Sequence, residues 1–179
     1  MKIIAHRGNI KGPNPSGENH PSTIMEALTL GFDVEVDVWC FQGSVKKNQP
    51  QQPLWYLGHD CATYVVDEEF LNRSSLWLHC KNLEALKVLN SPVYSGITKA
   101  NYFWHENDQA VLVKNKSDNS SLIWNNLNVV PFHGSVCVLP EMLKTEFTTA
   151  YGKKIPTGDI TKSSAICTDF AIEYDNYFN

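Results

Sequence analysis

Three acidic side chains alternate along one predicted strand, and they form the clearest chemical pattern in the sequence. Successive side chains of a strand point to opposite faces, so Asp33, Glu35 and Asp37 share one face and the valines between them share the other. Neighbouring carboxylates repel one another, and a bound cation relieves that repulsion. Hard oxygen ligands suit Mg²⁺ or Ca²⁺. The pattern predicts either a divalent-metal site or an acidic strand face that is simply solvated.

Polar side chains also collect at the ends of other predicted strands. An imidazole next to a carboxylate can transfer protons near neutral pH, and a guanidinium matches the oxygens of a phosphate. Each such residue taken singly is more often structural than catalytic. Together they suit metal-assisted attack on a phosphodiester. The strand-end residues are His6, Arg7, Glu35, Asp37, His59, His79, Lys81, His105, Glu141 and Asp169.

The elements that must position these residues alternate between strand and helix in the first half of the chain, which predicts parallel α/β architecture. Predicted strands cover residues 2–6, 32–39, 54–57, 76–80, 102–104, 136–139 and 165–170, and a hairpin joins 111–114 to 122–124. Predicted helices cover residues 22–30, 83–89 and 141–150, with Ser22 or Thr23 capping the first. Parallel α/β barrels carry their active sites at the carboxyl ends of the strands.

The length of the chain limits this architecture. Its 179 residues predict one domain over the whole sequence. A full (β/α)8 barrel typically needs about 250 residues. We therefore expect a reduced, TIM-barrel-like fold that lacks several outer helices in its second half.

Charge and cysteine content narrow the class of protein. The net charge is −4, with Arg7 and Arg73 the only arginines, which disfavours a nucleic-acid partner and a nuclease. No apolar run reaches the roughly 18 residues of a membrane span, so we expect no membrane insertion. The five cysteines lack CxxC spacing and no export signal is evident, which predicts reduced thiols and a cytoplasmic protein. The oligomeric state stays open, although an exposed sheet edge in a shortened barrel would favour a dimer.

Four short motifs in order resemble the signature of the glycerophosphodiester phosphodiesterases, a hydrolase family of lipid metabolism. They are IAHRG at residues 4–8, Glu18-Asn19, EVDV at residues 35–38 and His59-Asp60. The resemblance is specific over about residues 2–82, and beyond them Thr168-Asp169 is similar to the end of the family's closing strand. It implies a TIM barrel related to the phosphatidylinositol-specific phospholipase C group, in a short bacterial-type branch.

The resemblance also implies roles for individual residues. His6 and His59 correspond to the acid/base pair of the family, and Glu35 and Asp37 correspond to two ligands of its divalent cation. The remaining matches concern the substrate and the loop: Arg7 and Lys81 would contact phosphate, and Glu18 would lie at the metal site or support the arginine. The implied substrate is a small phosphodiester with a glycerol or sugar group.

One position departs from the family pattern. The family usually has a glutamate as a third metal ligand two residues before the lysine, and this chain has His79 there. Imidazole suits Mn²⁺ or Zn²⁺ better than Ca²⁺, so these metals join Mg²⁺ and Ca²⁺ as candidates. The sequence leaves open two alternatives: a catalytically inactive module that binds phosphate esters or sugars, and a transition-metal hydrolase that uses His79 and His105.

Aromatic residues on or near the strands add a secondary expectation. Some of them would line the site and stack on a sugar or glycerol face, although most would belong to the core. These residues are Trp39, Trp77, Phe103, Trp104 and Trp124.

Overall fold

The strands of this protein close into a barrel. The computed structural model describes residues 1–43, 52–94, 96–106, 108–118, 120–125, 132–142 and 159–179. Within these ranges ten strands form one sheet, and they are β1 (Lys2–His6), β2 (Asp33–Gln42), β3 (Pro53–Leu57), β4 (Tyr64–Val66), β5 (Leu76–Cys80), β6 (Asn101–Phe103), β7 (Ala110–Asn115), β8 (Ser121–Asn125), β9 (Ser135–Val138) and β10 (Ala165–Thr168).

Closure comes from the first two strands. The order β1-β10-β9-β8-β7-β6-β5-β2 forms a ring because β1 also pairs with β2, and β3 and β4 extend β2 beyond the ring. All ring neighbours are parallel except at β7, which is antiparallel to both β6 and β8. The chain is thus a mixed α/β protein with a closed eight-stranded barrel, and it does not follow a regular strand–helix repeat in its second half.

Few helices cover this barrel. Among the described residues they are α1 (Pro21–Thr29), α2 (Glu68–Leu71), α3 (Leu83–Asn90) and α4 (Ala171–Phe178), with 3-10 turns at Pro140–Met142 and Asp159–Lys162. The first helix begins one residue before the predicted caps, because Pro21 suits the first helical turn and the His20 ring accepts the Ser22 N–H. The predicted helix at 141–150 lies outside the described residues from residue 143 onward. The sequence prediction missed β4, α2 and α4.

Two apolar clusters lie on opposite sides of the barrel wall. The outer cluster packs Val34, Val36 and Val38 against the helices, including Ile24 and Leu89. The cluster inside the barrel consists of inward-facing side chains from seven of the eight ring strands. Its residues are Ile4, Trp77, Phe103, Val113, Trp124, Val136, Val138, Ala165 and Cys167. The eighth strand is β2, whose inward face is acidic, and this difference places the carboxylates inside the barrel.

Two further expectations concern cysteines and membranes. All five cysteines are free thiols, and four of them are buried, as expected for small apolar residues on strands. Burial raises the pKa of Cys137 to about 11. Among the described residues, no helix has the length and apolar character needed to cross a bilayer.

Candidate functional site

Two carboxylates and one imidazole meet inside the carboxyl-end mouth of the barrel. Strands β2 and β5 are parallel, and their register sets Asp37 beside His79. Glu35 lies two residues before Asp37 on the same face, so all three side chains point into the barrel. Each offers a ligand atom within 4.8 Å of the other two, and all three residues are buried. His79 Nδ1 lies 2.9 Å from Asp37 Oδ1 and 3.8 Å from Glu35 Oε1.

Asp37 is the most tightly surrounded member of this group. Asn19 donates its amide to Asp37 Oδ2 at 2.8 Å and accepts the Asp37 backbone N–H at 2.9 Å. Arg7 Nε lies 3.1 Å from Oδ2, and Lys81 Nζ lies 3.7 Å from Oδ1. Burial alone would raise the pKa of Asp37, but His79, Arg7 and Lys81 hold it well below its usual range. This carboxylate is therefore ionised at neutral pH.

The buried negative charge of Glu35 is less well compensated than that of Asp37. Its Oε2 accepts the backbone N–H of Arg7 at 3.2 Å and lies 4.0 Å from His6 Nε2. Burial and the charge of Asp37 raise the pKa of Glu35 above its usual value. A cation between the two carboxylates would remove this cost, which is the usual reason for such pairs to bind metals.

The residues present fit a divalent metal ion. Asp37 Oδ1 is buried and makes no hydrogen bond of good geometry within the described part of the chain, although His79 Nδ1 lies 2.9 Å and Lys81 Nζ lies 3.7 Å from it. A buried carboxylate oxygen without a well-formed hydrogen bond is costly, so such an oxygen beside two further ligands suits a cation. Carboxylate oxygens and one imidazole nitrogen form a mixed ligand set. The predicted metal cluster is confirmed to the extent that Glu35, Asp37 and His79 could hold an ion.

His6 stands beside this group and is oriented by a carboxylate. Its Nδ1 donates to Asp169 Oδ1 at 2.8 Å, which leaves Nε2 on the side of Glu35. Burial alone would lower the pKa of His6, but Asp169 and Glu35 raise it above its usual value. Asp169 also accepts the Asn9 amide at 2.8 Å. An imidazole fixed at one nitrogen by a carboxylate is arranged to exchange protons at the other.

A second carboxylate supports Asp169. Glu141 accepts the Asp169 backbone N–H at 2.8 Å and the Thr168 hydroxyl at 3.0 Å. Burial raises the pKa of Glu141. The end of β10 is thus fixed to the turn after β9, and this connection sets the position of Asp169 against His6.

Arg7 and Glu18 form an ion pair at the edge of the group. Arg7 has a positive φ of 51°, which turns the chain out of β1 and brings its side chain over the mouth. Arg7 Nη1 donates to Glu18 Oε2 at 2.9 Å, and Asn9 donates to the other Glu18 oxygen at 3.3 Å. Glu18 lies outside the three-residue metal group. Glu18 was expected either at the metal site or beside the arginine, and in the structure it pairs with Arg7.

His59 lies outside the metal group. It follows β3, and the N–H of the preceding Gly58 donates to the Asp37 carbonyl at 3.1 Å. Its ring contacts the adjacent Asp60 at 2.6 Å, and 41% of its side chain is exposed. Its role as the second acid/base residue stays a prediction.

Several residues of the site carry little signal in the sequence. Asn9 and the supporting function of Glu141 went unrecognised, and Asn19 and Asp169 were noted only as parts of a pattern. Asparagine and glutamate are common in loops, so only their burial and contacts reveal them. His105 stacks on His79 with ring centroids 4.5 Å apart, and it contributes no atom to the three-residue group.

The fold and site together define a closed α/β barrel with a candidate metal and acid/base site at its carboxyl-end mouth. Comparisons of the chain with protein-family models, with curated proteins and with solved structures find no match.

Proposed function

We propose that this protein is a metal-dependent phosphodiesterase, similar in chemistry to the glycerophosphodiester phosphodiesterases and built on a reduced TIM-type barrel. The observation that carries the proposal is the position of the His6–Asp169 pair beside Glu35, Asp37 and His79. A proton-transfer group, a cation site and two basic side chains are the parts that phosphodiester cleavage needs.

Glu35, Asp37 and His79 would hold the divalent ion, which when bound supplies positive charge beside the phosphate and lowers the pKa of a nearby hydroxyl. Mg²⁺ or Ca²⁺ fits the two carboxylates, and Mn²⁺ or Zn²⁺ fits the imidazole as well. Arg7 and Lys81 lie next to Asp37 and would bind the nonbridging phosphate oxygens. Charge on those oxygens grows during phosphoryl transfer, so fixed cations stabilise the transition state.

Two histidines would move the protons. A hydroxyl of the substrate next to the phosphate forms a bond to phosphorus while one histidine accepts its proton. The bond from phosphorus to the departing alcohol breaks, and the other histidine donates the proton that this alcohol needs. Water then opens the resulting cyclic phosphate with the two roles reversed. His6 acts through Nε2 because Asp169 occupies Nδ1, and His59 is the second group.

A second candidate rests on His79. An imidazole nitrogen in the ligand set favours transition metals, so the barrel could carry a zinc- or manganese-based hydrolase site of another specificity. Metal analysis of the protein purified without added metal distinguishes the two. Stoichiometric zinc combined with no turnover of phosphodiesters would favour this second candidate.

The deciding experiment measures turnover of glycerophosphocholine, which has the required neighbouring hydroxyl, with added Mg²⁺, Ca²⁺, Mn²⁺ or Zn²⁺, and after chelation. We expect metal-dependent release of product. We also expect His6→Ala to lower turnover by about 10²–10⁴-fold, because that is the usual contribution of an acid/base group. His133→Ala is the matched control, since His133 is exposed before β9. Binding of phosphate esters without turnover under any metal would contradict the proposal and indicate a binding module.

A further inference from the structure

An exposed aromatic face continues directly from the candidate site along β2. The antiparallel registers set Trp39 opposite Tyr56, Phe41 opposite Leu54, and Tyr56 opposite Val65. Directly opposed residues point to the same side of a sheet, so these five side chains form one surface, called the aromatic face below. The other side of the same strands carries Val38, Cys40, Trp55 and Leu57, all buried in the outer core.

The strand period fixes where the aromatic face lies. Glu35, Asp37, Trp39 and Phe41 alternate with outward-facing residues, so all four share the face of β2 that points into the barrel and then above its mouth. Alternate residues of a strand lie about 7 Å apart. Trp39 therefore lies about 7 Å beyond Asp37 along the strand, and Phe41 lies about 14 Å beyond it.

The rings of this face are held in place by mutual contacts, with Trp39 and Tyr56 half-buried and Phe41 exposed. Trp39 Nε1 donates to the Gly58 carbonyl at 2.6 Å, which anchors the indole by its edge. The Trp39 and Phe41 rings are nearly parallel, with centroids 6.5 Å apart, and Tyr56 meets Phe41 edge-on at 5.7 Å. Phe41 and Leu54 are 43% and 46% exposed. By contrast, Trp77, Phe103 and Trp124 fill the barrel interior and are buried.

We propose that the aromatic face binds a sugar ring that forms the alcohol part of the phosphodiester substrate, while its phosphate lies at the Asp37 end. This inference rests on the proposed function and specifies its substrate class. The C–H face of a pyranose packs on flat aromatic rings, and the hydroxyls at its edge need polar partners. His59 and Asp60 stand beside Gly58 at that end of the face, and Asp60 is 92% exposed at its side chain.

Other occupants fit less well. A glycerol group is no longer than the roughly 7 Å between alternate residues of a strand, so it would leave Phe41 and Leu54 uncovered. An anionic lipid surface would meet an exposed carboxylate on a chain of net charge −4, and such surfaces attract clusters of lysine and arginine instead. The structure thus favours an uncharged ring with one apolar face.

Two substrates that share one reacting group test this. A glycerophosphohexose and methyl glycerophosphate carry the same phosphate and the same neighbouring glycerol hydroxyl, and only the first has a sugar. We expect Trp39→Ala to lower kcat/KM for the sugar substrate about tenfold, as the loss of an aromatic contact predicts, and to leave the methyl substrate within about twofold. Trp39→Phe should retain most of the sugar activity, because it keeps a ring at this position.

Tyr177→Ala removes an exposed aromatic residue from α4 and should leave both substrates unchanged. Equal losses for both substrates in Trp39→Ala would overturn the inference while leaving the phosphodiesterase intact. So would Trp39-dependent binding of phosphatidylcholine vesicles, which would assign the face to lipid.

A binding measurement separates this inference from the proposed function. Methyl hexopyranosides titrated into the metal-free protein should shift the NMR signal of the Trp39 indole. Shifts without turnover of any phosphodiester would reject the proposed function and retain a sugar-binding face. Normal turnover of the sugar substrate without shifts at Trp39, and with no effect of Trp39→Ala, would reject the aromatic face alone.

Discussion

The two ends of the barrel interior hold the same residue type on the same face of the same strand, yet in different surroundings. At the amino end, Asp33 accepts the Lys2 ammonium at 2.9 Å and the Trp77 indole N–H at 2.8 Å. At the carboxyl end, Asp37 Oδ1 lies 2.9 Å from His79 Nδ1, and a second buried carboxylate, Glu35, stands beside it. The first carboxylate is structurally satisfied, whereas the second is arranged for a ligand.

The reason for the difference lies in what surrounds each aspartate. A cavity of about 290 Å³ opens beside Asp33 and is lined by polar groups such as Asn101. Lys2 and Trp77 supply cation and donor from the two strands that flank β2. At the other end, Asp37 pairs with Arg7 and Lys81, but Glu35 and His79 also offer ligand atoms within 4.8 Å of it. An alternating acidic strand is therefore not one site, because the partners on neighbouring strands decide what each carboxylate does.

The largest contrast concerns metal affinity. Asp37→Asn removes a proposed ligand, and it should weaken Mn²⁺ binding by more than about 100-fold, since loss of even a supporting residue costs about 10–100-fold. Asp33→Asn is the matched control on the same face and should leave Mn²⁺ affinity unchanged. Isothermal titration calorimetry of both variants checks this. Equal losses of Mn²⁺ affinity in the two variants would contradict the assignment of Asp37, and not Asp33, as a metal ligand.

When stability is measured in the presence of a chelator, we expect the larger effect at the Asp33 end of the barrel and the smaller one at the Asp37 end. Asp33→Ala leaves the buried indole N–H of Trp77 without its acceptor, and we expect the free energy of unfolding to fall by about 1–3 kcal/mol. Glu35→Gln relieves repulsion with Asp37 and keeps an acceptor for the Arg7 N–H, so it should not lower stability. Urea denaturation measures both. A large destabilisation by Glu35→Gln would show that the Glu35 charge is already compensated.

A smaller effect concerns pH at the carboxyl-end mouth. Burial would raise the pKa of Asp169, but the bonds from His6 and Asn9 lower it below its usual value. A carboxylate with a depressed folded-state pKa stabilises the protein above its unfolded pKa of about 3.9, and this contribution disappears as pH falls through the folded value.

Asp169→Asn should therefore lower stability by about 1–2 kcal/mol near pH 6, and the difference from the wild type should shrink towards pH 3. Glu26→Gln, an exposed change on α1, should show no such trend. Denaturation curves at several pH values test this, and a difference independent of pH would argue against a charged Asp169.

Much of the fold was predictable because local patterns agree with the tertiary structure. The apolar run before His6 and the alternation around Glu35 marked β1 and β2, and the run at 76–80 coincides with β5. The expected shortage of helices in the second half is also found within the described residues. There the β7–β8 hairpin reverses the chain without a helix, and β7 completes the ring as an antiparallel strand. A two-stranded hairpin needs far fewer residues than a helical crossover, which explains how a short chain closes a barrel.

The parts that could not be predicted depend on long-range contacts. Asp169 meets His6 across 163 positions of sequence, and Glu141 reaches Asp169 only because β9 and β10 are neighbours. The aromatic residues look alike in the sequence, but burial separates Trp77 and Trp124 in the interior from the half-buried Trp39.

The sequence alone determines the types and the order of the reactive residues, since strand period and chain order place Glu35, Asp37 and His79 on inward faces at strand ends. It cannot determine which carboxylate stands alone with its donors and which belongs to a cluster of ligand groups. That depends on the closure of the ring, because the partners of Asp33 and Asp37 come from strands and loops distant in the chain. The tertiary structure supplies Lys2 and Trp77 to one aspartate and sets the other beside Glu35 and His79.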